Sequence, residues 1–183
     1  MNAAFPMKTM SPTSINKWFS YFRLLCCKNW IENIEKIGGE NCTVEMDESM
    51  FGKMKYGRGD GRKRRRAWVF GMVCRESGKS VLWVCPRGKD GKYKRTKSAL
   101  WPIILANVKL GTMLYTDGFR GYRKLPSLGY RHKWVDHSVE YVSSTDPDVH
   151  TNQIEGLWGV VKRRLPSSGP YNLEEYLQLF QWF

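Results

Sequence analysis

Lys97–Asp117 reads KSALWPIILANVKLGTMLYTD, and its two halves follow different periods. Leu100, Trp101, Ile104 and Val108 recur at three-and-four spacing, which predicts a helix over Lys97–Val108 with one apolar face. Pro102 falls inside that pattern and marks either a first turn or a kink. After Gly111, TMLYTD is a short buried strand closing on Asp117. Just upstream, AWVFGMVC (Ala67–Cys74) and SVLWVC (Ser80–Cys85) are apolar runs joined by a short ESGK connection, the pattern of an antiparallel hairpin. Strand, helix, strand at these lengths implies a parallel pair with a right-handed crossover. The fold class this predicts is α/β.

The flanks extend the same plan. CTVEM (Cys42–Met46) alternates and reads as a strand running into Asp47 and Glu48; Arg131–Val135 reads as a last strand, after a turn and a short helix to Leu125. HTNQIEGLWGVVKRRL (His150–Leu165) is an amphipathic helix whose apolar face is Ile154, Leu157, Trp158, Val161 and Leu165. Asn152 is placed to cap it, and Glu155 sits where a capping box takes Glu or Gln. PSSGP (Pro166–Pro170) breaks that helix, Leu173–Phe183 forms another, and the aromatic ending LFQWF points to a continuation beyond it. Near the start, Ser11 can cap a helix with Pro12 in its first turn and Ile15, Trp18, Phe19, Phe22, Leu25 and Cys26 on one face. That helix is either the end of a helix-turn-helix unit or a plain packing helix. Gly38-Gly39 sets a boundary near residue 40, giving a partial helical, DNA-binding segment over 1–40 and the main domain over 41–183.

With 183 residues and a hydrophobic fraction of 42%, the chain can bury one core plus a small appendage. A net charge of +13 favours a polyanionic partner, nucleic acid before membrane. No apolar run has the length of a membrane span, and no signal peptide opens the chain. Five cysteines without a CxxC fit a reducing, intracellular compartment rather than a disulfide framework or zinc cluster. Much of the charge is concentrated in Gly52–Arg66, where Lys53, Lys55, Arg58, Arg62, Lys63, Arg64, Arg65 and Arg66 face only Asp60. Four glycines make this a loop suited to the phosphate backbone of DNA. RKRRR (Arg62–Arg66) reads equally as a nuclear-import signal, which places the protein in the nucleus if the source is eukaryotic and in the cytoplasm otherwise.

Three carboxylates bear on chemistry: Asp47 and Asp117 at strand ends, and Glu155 on the late helix. Active groups of open α/β sheets gather outside the carboxyl ends of strands. If the two strands are parallel neighbours, the aspartates face one another. Two aspartates and a glutamate suit two Mg²⁺ (or Mn²⁺) ions, which take oxygen ligands and keep waters and phosphate oxygens. Glu155 has a second reading as a cap, and each aspartate one as a turn former. Glu45 shares Asp47's face one pleat lower, whereas Glu48 should point the opposite way. Lys162, two turns after Glu155, points nearly the same way as Glu155.

The order MDESMFGKMKYGRG, WVFG, YTDGFRGY, HSVEY, HTNQIEGLWGVVKRR resembles the DDE transposases of the Merlin superfamily and their bacterial ISXO-like insertion-sequence relatives, over about Ser11–Phe183. The resemblance implies a ribonuclease-H-like mixed sheet flanked by helices. It implies Asp47, Asp117 and Glu155 as the catalytic, metal-binding triad. It also implies Asn152 and Lys162 as supporting residues, Asn152 standing where some relatives carry an asparagine third member. Lys162 and Arg163 are expected to join the basic loop in binding DNA. The implied reaction is cleavage at terminal inverted repeats followed by strand transfer into target DNA, with the protein acting as a homo-oligomer on double-stranded DNA. The alternatives are a non-enzymatic DNA-binding protein derived from such an element, or a related nuclease without strand transfer.

Overall fold

The computed structural model describes residues 10–52, 66–135, 146–165 and 172–182. Along them run α1 (Pro12–Asn33), β1 (Thr43–Phe51), β2 (Ala67–Cys74), β3 (Ser80–Val84), α2 (Lys97–Asn107), β4 (Met113–Asp117), two 3-10 turns (Arg120–Tyr122 and Leu125–Leu128), β5 (Arg131–Val135), α3 (Asn152–Arg164) and α4 (Leu173–Trp182). The sheet order is β3-β2-β1-β4-β5. β1, β2 and β3 pair antiparallel, while β4 pairs parallel with β1 and β5 parallel with β4. This mixed sheet, with α2 crossing between β3 and β4, is the ribonuclease-H-like arrangement.

Strand alternation sorts side chains between two cores. Val44, Met46, Phe70, Met72 and Leu114 meet Leu100 and Ile104 of α2 on one face. Phe51, Val69, Val73 and Leu82 meet Ile154, Trp158 and Val161 of α3 and Leu177 of α4 on the other. Pro102 lies inside α2, past its first turn, and Leu100 and Ile104 on either side of it are fully buried. Between β4 and β5 the chain makes two 3-10 turns where the sequence reads as a single short helix; Pro126 in the second of them supplies no backbone N–H for a longer one. Gln181 of α4 closes the free edge of β3, accepting from the Leu82 N–H at 2.6 Å and donating to its carbonyl at 3.2 Å.

Two sequence expectations change. β1 continues through Asp47 to Phe51, because β2 pairs with it as far as Phe51↔Ala67. It is β4 that stops, at Asp117, and its pairing with β1 ends at Met46↔Thr116. The aspartates therefore occupy the rung just beyond the last parallel pair, Asp117 as a strand end and Asp47 in mid-strand. In α1, Ser11 caps as expected, accepting from the Ser14 N–H at 3.1 Å. The face that packs is different: Ile15, Trp18, Phe19, Phe22 and Leu25 are exposed, whereas Cys27 and Trp30 are buried. Three-and-four spacing locates the helix, but α4 chooses the face, with the Cys27 thiol donating to the Glu175 carbonyl and Arg23 lying over the Tyr176 ring. Trp30 and Ile37 join the α2-side core, across the boundary expected near residue 40. No helix among the described residues is long and apolar enough to cross a membrane.

Candidate active site

Where β4 stops, β1 has no partner strand on that side among the described residues, and side chains from both faces of the sheet can reach the gap. Asp47 enters from the α3 face. Its carboxylate Oδ2 accepts from the Trp158 Nε1–H at 2.9 Å. Trp158 reaches it only because Gly71 stands opposite Asp47 in the register; a Cβ there would lie 2.4 Å from the indole. Asp117 closes β4, its Oδ1 accepting from the Phe119 N–H at 3.1 Å in a tight turn. Glu48 enters from the α2 face, where the buried Tyr122 hydroxyl donates to its Oε1 at 2.5 Å. Ligand oxygens of Asp47, Glu48 and Asp117 lie within 4.8 Å of one another.

The crowding shows in the acidities. Burial pushes the Asp47 carboxyl up, with the charges of Asp117 and Glu155 adding to it and the Trp158 N–H opposing it. Glu48 is pushed up to about 7, by burial first, then by Asp117 and Asp47, against the Tyr122 hydrogen bond and Arg95. Burial and the neighbouring Glu48 hold the Tyr122 phenol well above its ordinary value. Two carboxyls whose ionisation is disfavoured, with the Asp117 carboxylate beside them, form a set of hard oxygen donors that a divalent cation relieves. The residues present fit Mg²⁺ or Mn²⁺.

Glu155 lies in the first turn of α3, on the Asp47 side, outside the cluster of three. Its Oε1 accepts from the Thr151 hydroxyl at 3.1 Å. The expected capping box is displaced: Asn152 is the first helical residue, and Thr151 holds the cap position without a side-chain cap hydrogen bond. The acceptor comes from the sheet instead. The fully buried Glu45 takes the Gln153 and Ile154 N–H groups on Oε2, at 2.9 and 3.0 Å. Asn152 is exposed beside this junction, its N–H directed to His150 Nδ1. Two turns along, Lys162 Nζ donates to Ser49 Oγ at 2.6 Å and lies over the Phe51 ring, so α3 runs alongside β1 toward the same end of the sheet as the carboxylates. Arg163 is exposed in the last turn. Arg66 is exposed where the chain enters β2; Lys53, Lys55, Arg58, Arg62, Lys63, Arg64 and Arg65 lie outside the described residues, as do Asp136 and His137.

Sequence reasoning thus pairs Asp47 with Asp117 and misses Glu48. Strand alternation sends Glu48 to the other face, as expected, and only the early end of β4 lets both faces serve one point. The adjacent Asp-Glu pair before a basic loop is the signal that could have found it.

A ribonuclease-H-like sheet with converging carboxylates outside a parallel strand end defines a class of domain, and comparison with known proteins specifies it. The model of the ISXO2-like transposase domain matches residues 37–182, so the chain belongs to that transposase family. An uncharacterized transposase-like protein of Haemophilus influenzae is 30% identical over 88 residues, covering 46% of this chain and 69% of that protein. Among solved structures, a chain of the simian T-cell lymphotropic virus intasome in complex with PP2A regulatory subunit B56 gamma aligns over 82% of this chain at 16% identity and a TM-score of 0.48. This chain spans 50% of the length of that one. The HTLV-2 integrase catalytic core domain in complex with magnesium, in its dimeric form, aligns over 80% of this chain and 86% of its own at 16% identity and a TM-score of 0.46.

Proposed function

We propose that this chain carries the catalytic domain of a metal-dependent DNA transposase, which cuts element ends and joins them to target DNA. The observation that carries the reading is the convergence of Asp47, Glu48 and Asp117 within 4.8 Å, on the end of the sheet toward which α3 directs Lys162. Asp47 and Asp117, with Glu155 from α3, are the residues that would hold the two ions, and Glu48 is a further carboxylate within reach. The chemistry such ions would supply there is activation of an attacking hydroxyl and stabilisation of the leaving oxygen of an in-line displacement.

The protein's own groups do the rest. The Trp158 N–H fixes one Asp47 oxygen and so sets the orientation of the carboxylate at the gap. Tyr122 holds Glu48 in the same way. Phe51 and Ala67, the anchors of the basic loop, end β1 and begin β2 on the carboxylate end of the sheet. Lys162 and Arg163 stand at that end too, so cations flank the acids where a phosphate backbone would lie. Double-stranded DNA is the partner, and a homo-oligomer on that DNA is the working form.

Purified protein incubated with a labelled element end and a second duplex, with and without Mg²⁺ or Mn²⁺, tests this. Metal-dependent cutting and joining are expected. Cutting without joining would leave a nuclease, and binding without either would leave a DNA-binding protein. Asp47→Asn, Asp117→Asn and Glu155→Gln should each abolish cutting in folded protein. If Asn152→Ala abolishes it and Glu155→Gln does not, Asn152 is the third ligand.

A further inference from the structure

Glu45 is fully buried, and both of its carboxylate oxygens are engaged. One oxygen accepts both first-turn amides of α3. The other pairs with Arg75 Nε at 2.7 Å and lies 3.5 Å from His150 Nδ1. Arg75 spreads its remaining donors over the chain leading into α3: Nη1 to the Asp148 carbonyl and Nη2 to the His150 carbonyl, both at 2.9 Å, with Nη2 also 2.8 Å from His150 Nδ1. The guanidinium lies over the Tyr115 ring at 4.7 Å, and Tyr115 is the register partner of Glu45 on β4. One clamp therefore ties β1, β4 and the entry to α3 together, one pleat below the aspartates.

We propose that Glu45, braced by Arg75, is a positioning residue that sets where α3 presents Glu155 to Asp47 and Asp117; this rests on the ligand role given to Glu155 above. Net stability is a poor reason for such a pair, since a buried ion pair is often replaced by apolar residues at no loss. It supplies direction instead. A carboxylate taking two adjacent amides fixes both the rotation and the height of a helix end, where the dipole also favours an anion. Sliding α3 by a single residue would turn Glu155 by about 100° and move it about 1.5 Å along the axis. Thr151, at the cap position, makes no side-chain cap hydrogen bond.

The test is Mn²⁺ affinity, measured by titration calorimetry on the full chain at a temperature where circular dichroism shows each variant folded. Glu45→Gln keeps the size and one acceptor but loses the ion pair, and it should weaken Mn²⁺ binding about ten-fold, the usual lower range for a group that orients a ligand. Glu155→Gln should weaken binding as well. The double variant should bind no more weakly than Glu155→Gln alone, because Glu45 acts through Glu155. A lowered melting point with unchanged Mn²⁺ affinity would mean that Glu45 is structural only and would overturn the proposal, as would losses that multiply in the double variant. If Glu155→Gln binds like the parent, the ligand role of Glu155 falls and takes this inference with it. If Glu155→Gln is weakened and Glu45→Gln is not, the clamp alone falls. Should Glu45→Gln not fold, Arg75→Lys carries the same test: it keeps a cation beside Glu45 but cannot reach both carbonyls, and a several-fold loss is expected, parental affinity overturning the proposal.

Discussion

Replacing Glu48 by Gln should change how stability depends on pH. Its carboxyl is held at about 7 in the fold against an ordinary 4.5. An acid whose pKa is raised on folding binds its proton more tightly in the native state, so its contribution is fully present below about 4.5 and is lost as pH rises through about 7. At about 1.4 kcal/mol per unit, the shift makes the metal-free protein up to about 3 kcal/mol less stable at pH 8 than it would be with this group neutral. Glu48→Gln keeps an acceptor for Tyr122 and removes the titration. In urea unfolding with EDTA, the variant should match the parent near pH 4.5 and exceed it by up to about 3 kcal/mol at pH 8. Lowered carboxyls elsewhere, such as Asp146 with Lys133, destabilise both proteins alike in acid, so the difference between the curves is the quantity to read. Mg²⁺ should then stabilise the parent more than the variant, increasingly so toward high pH. Parallel curves from pH 4.5 to 8 would refute the reasoning and remove Glu48 from the cluster.

Gly71→Ala should cost about 1–3 kcal/mol, read as a lowered melting point, because its Cβ meets the Trp158 ring at 2.4 Å and must push away the indole that bonds Asp47. Neutralising Arg62, Lys63, Arg64, Arg65 and Arg66 together should weaken DNA binding across all sequences and flatten its salt dependence, by nearly one log-log unit for each phosphate no longer neutralised; an unchanged slope in filter binding would leave RKRRR with the import reading alone. Lys162→Ala should reduce cleavage while leaving Mn²⁺ affinity nearly intact, since its ammonium faces Ser49 and Phe51; an equal loss of metal binding would mean it supports a ligand.

The parts of this architecture that depend on local period are legible in the sequence. The apolar runs AWVFGMVC and SVLWVC with their short connection give the hairpin, and three-and-four spacing gives α2 and α3; the strand–helix–strand order gives β4 the direction of β3, but β4 pairs with β1, and that pairing sets Asp47 beside Asp117. What is not legible depends on where a neighbour ends. Glu48 joins the site because β4 is shorter than β1, and no property of residues 43–51 states that length. Glu45 caps α3 from a strand over a hundred residues away, so the cap motif beginning at Asn152 reads correctly as a helix start and wrongly as its acceptor. The packed face of α1 is decided by α4, and the exposed aromatics Trp18, Phe19 and Phe22 have a spacing no different from that of a core.

The early end of β4 also bears on how the chain reaches its native state. β1, β2 and β3 follow one another closely, whereas Asp47 and Asp117 are 70 residues apart and the Glu45–Gln153 bond spans 108. Closing a longer loop costs more entropy before its contacts repay it. The antiparallel half of the sheet is thus expected to form while Asp47 and Glu48 are still hydrated and far from Asp117, and the like charges are driven together only in the final docking of β4 and α3. Like-charge repulsion then acts mainly on that last step, and divalent cations should accelerate it while leaving the hairpin's formation rate alone. Pulse-labelled amide exchange during refolding would show this as early protection of Val69–Val73 and later protection of Leu114–Thr116, with Mg²⁺ shortening only the later phase; simultaneous protection of the two sets would refute it.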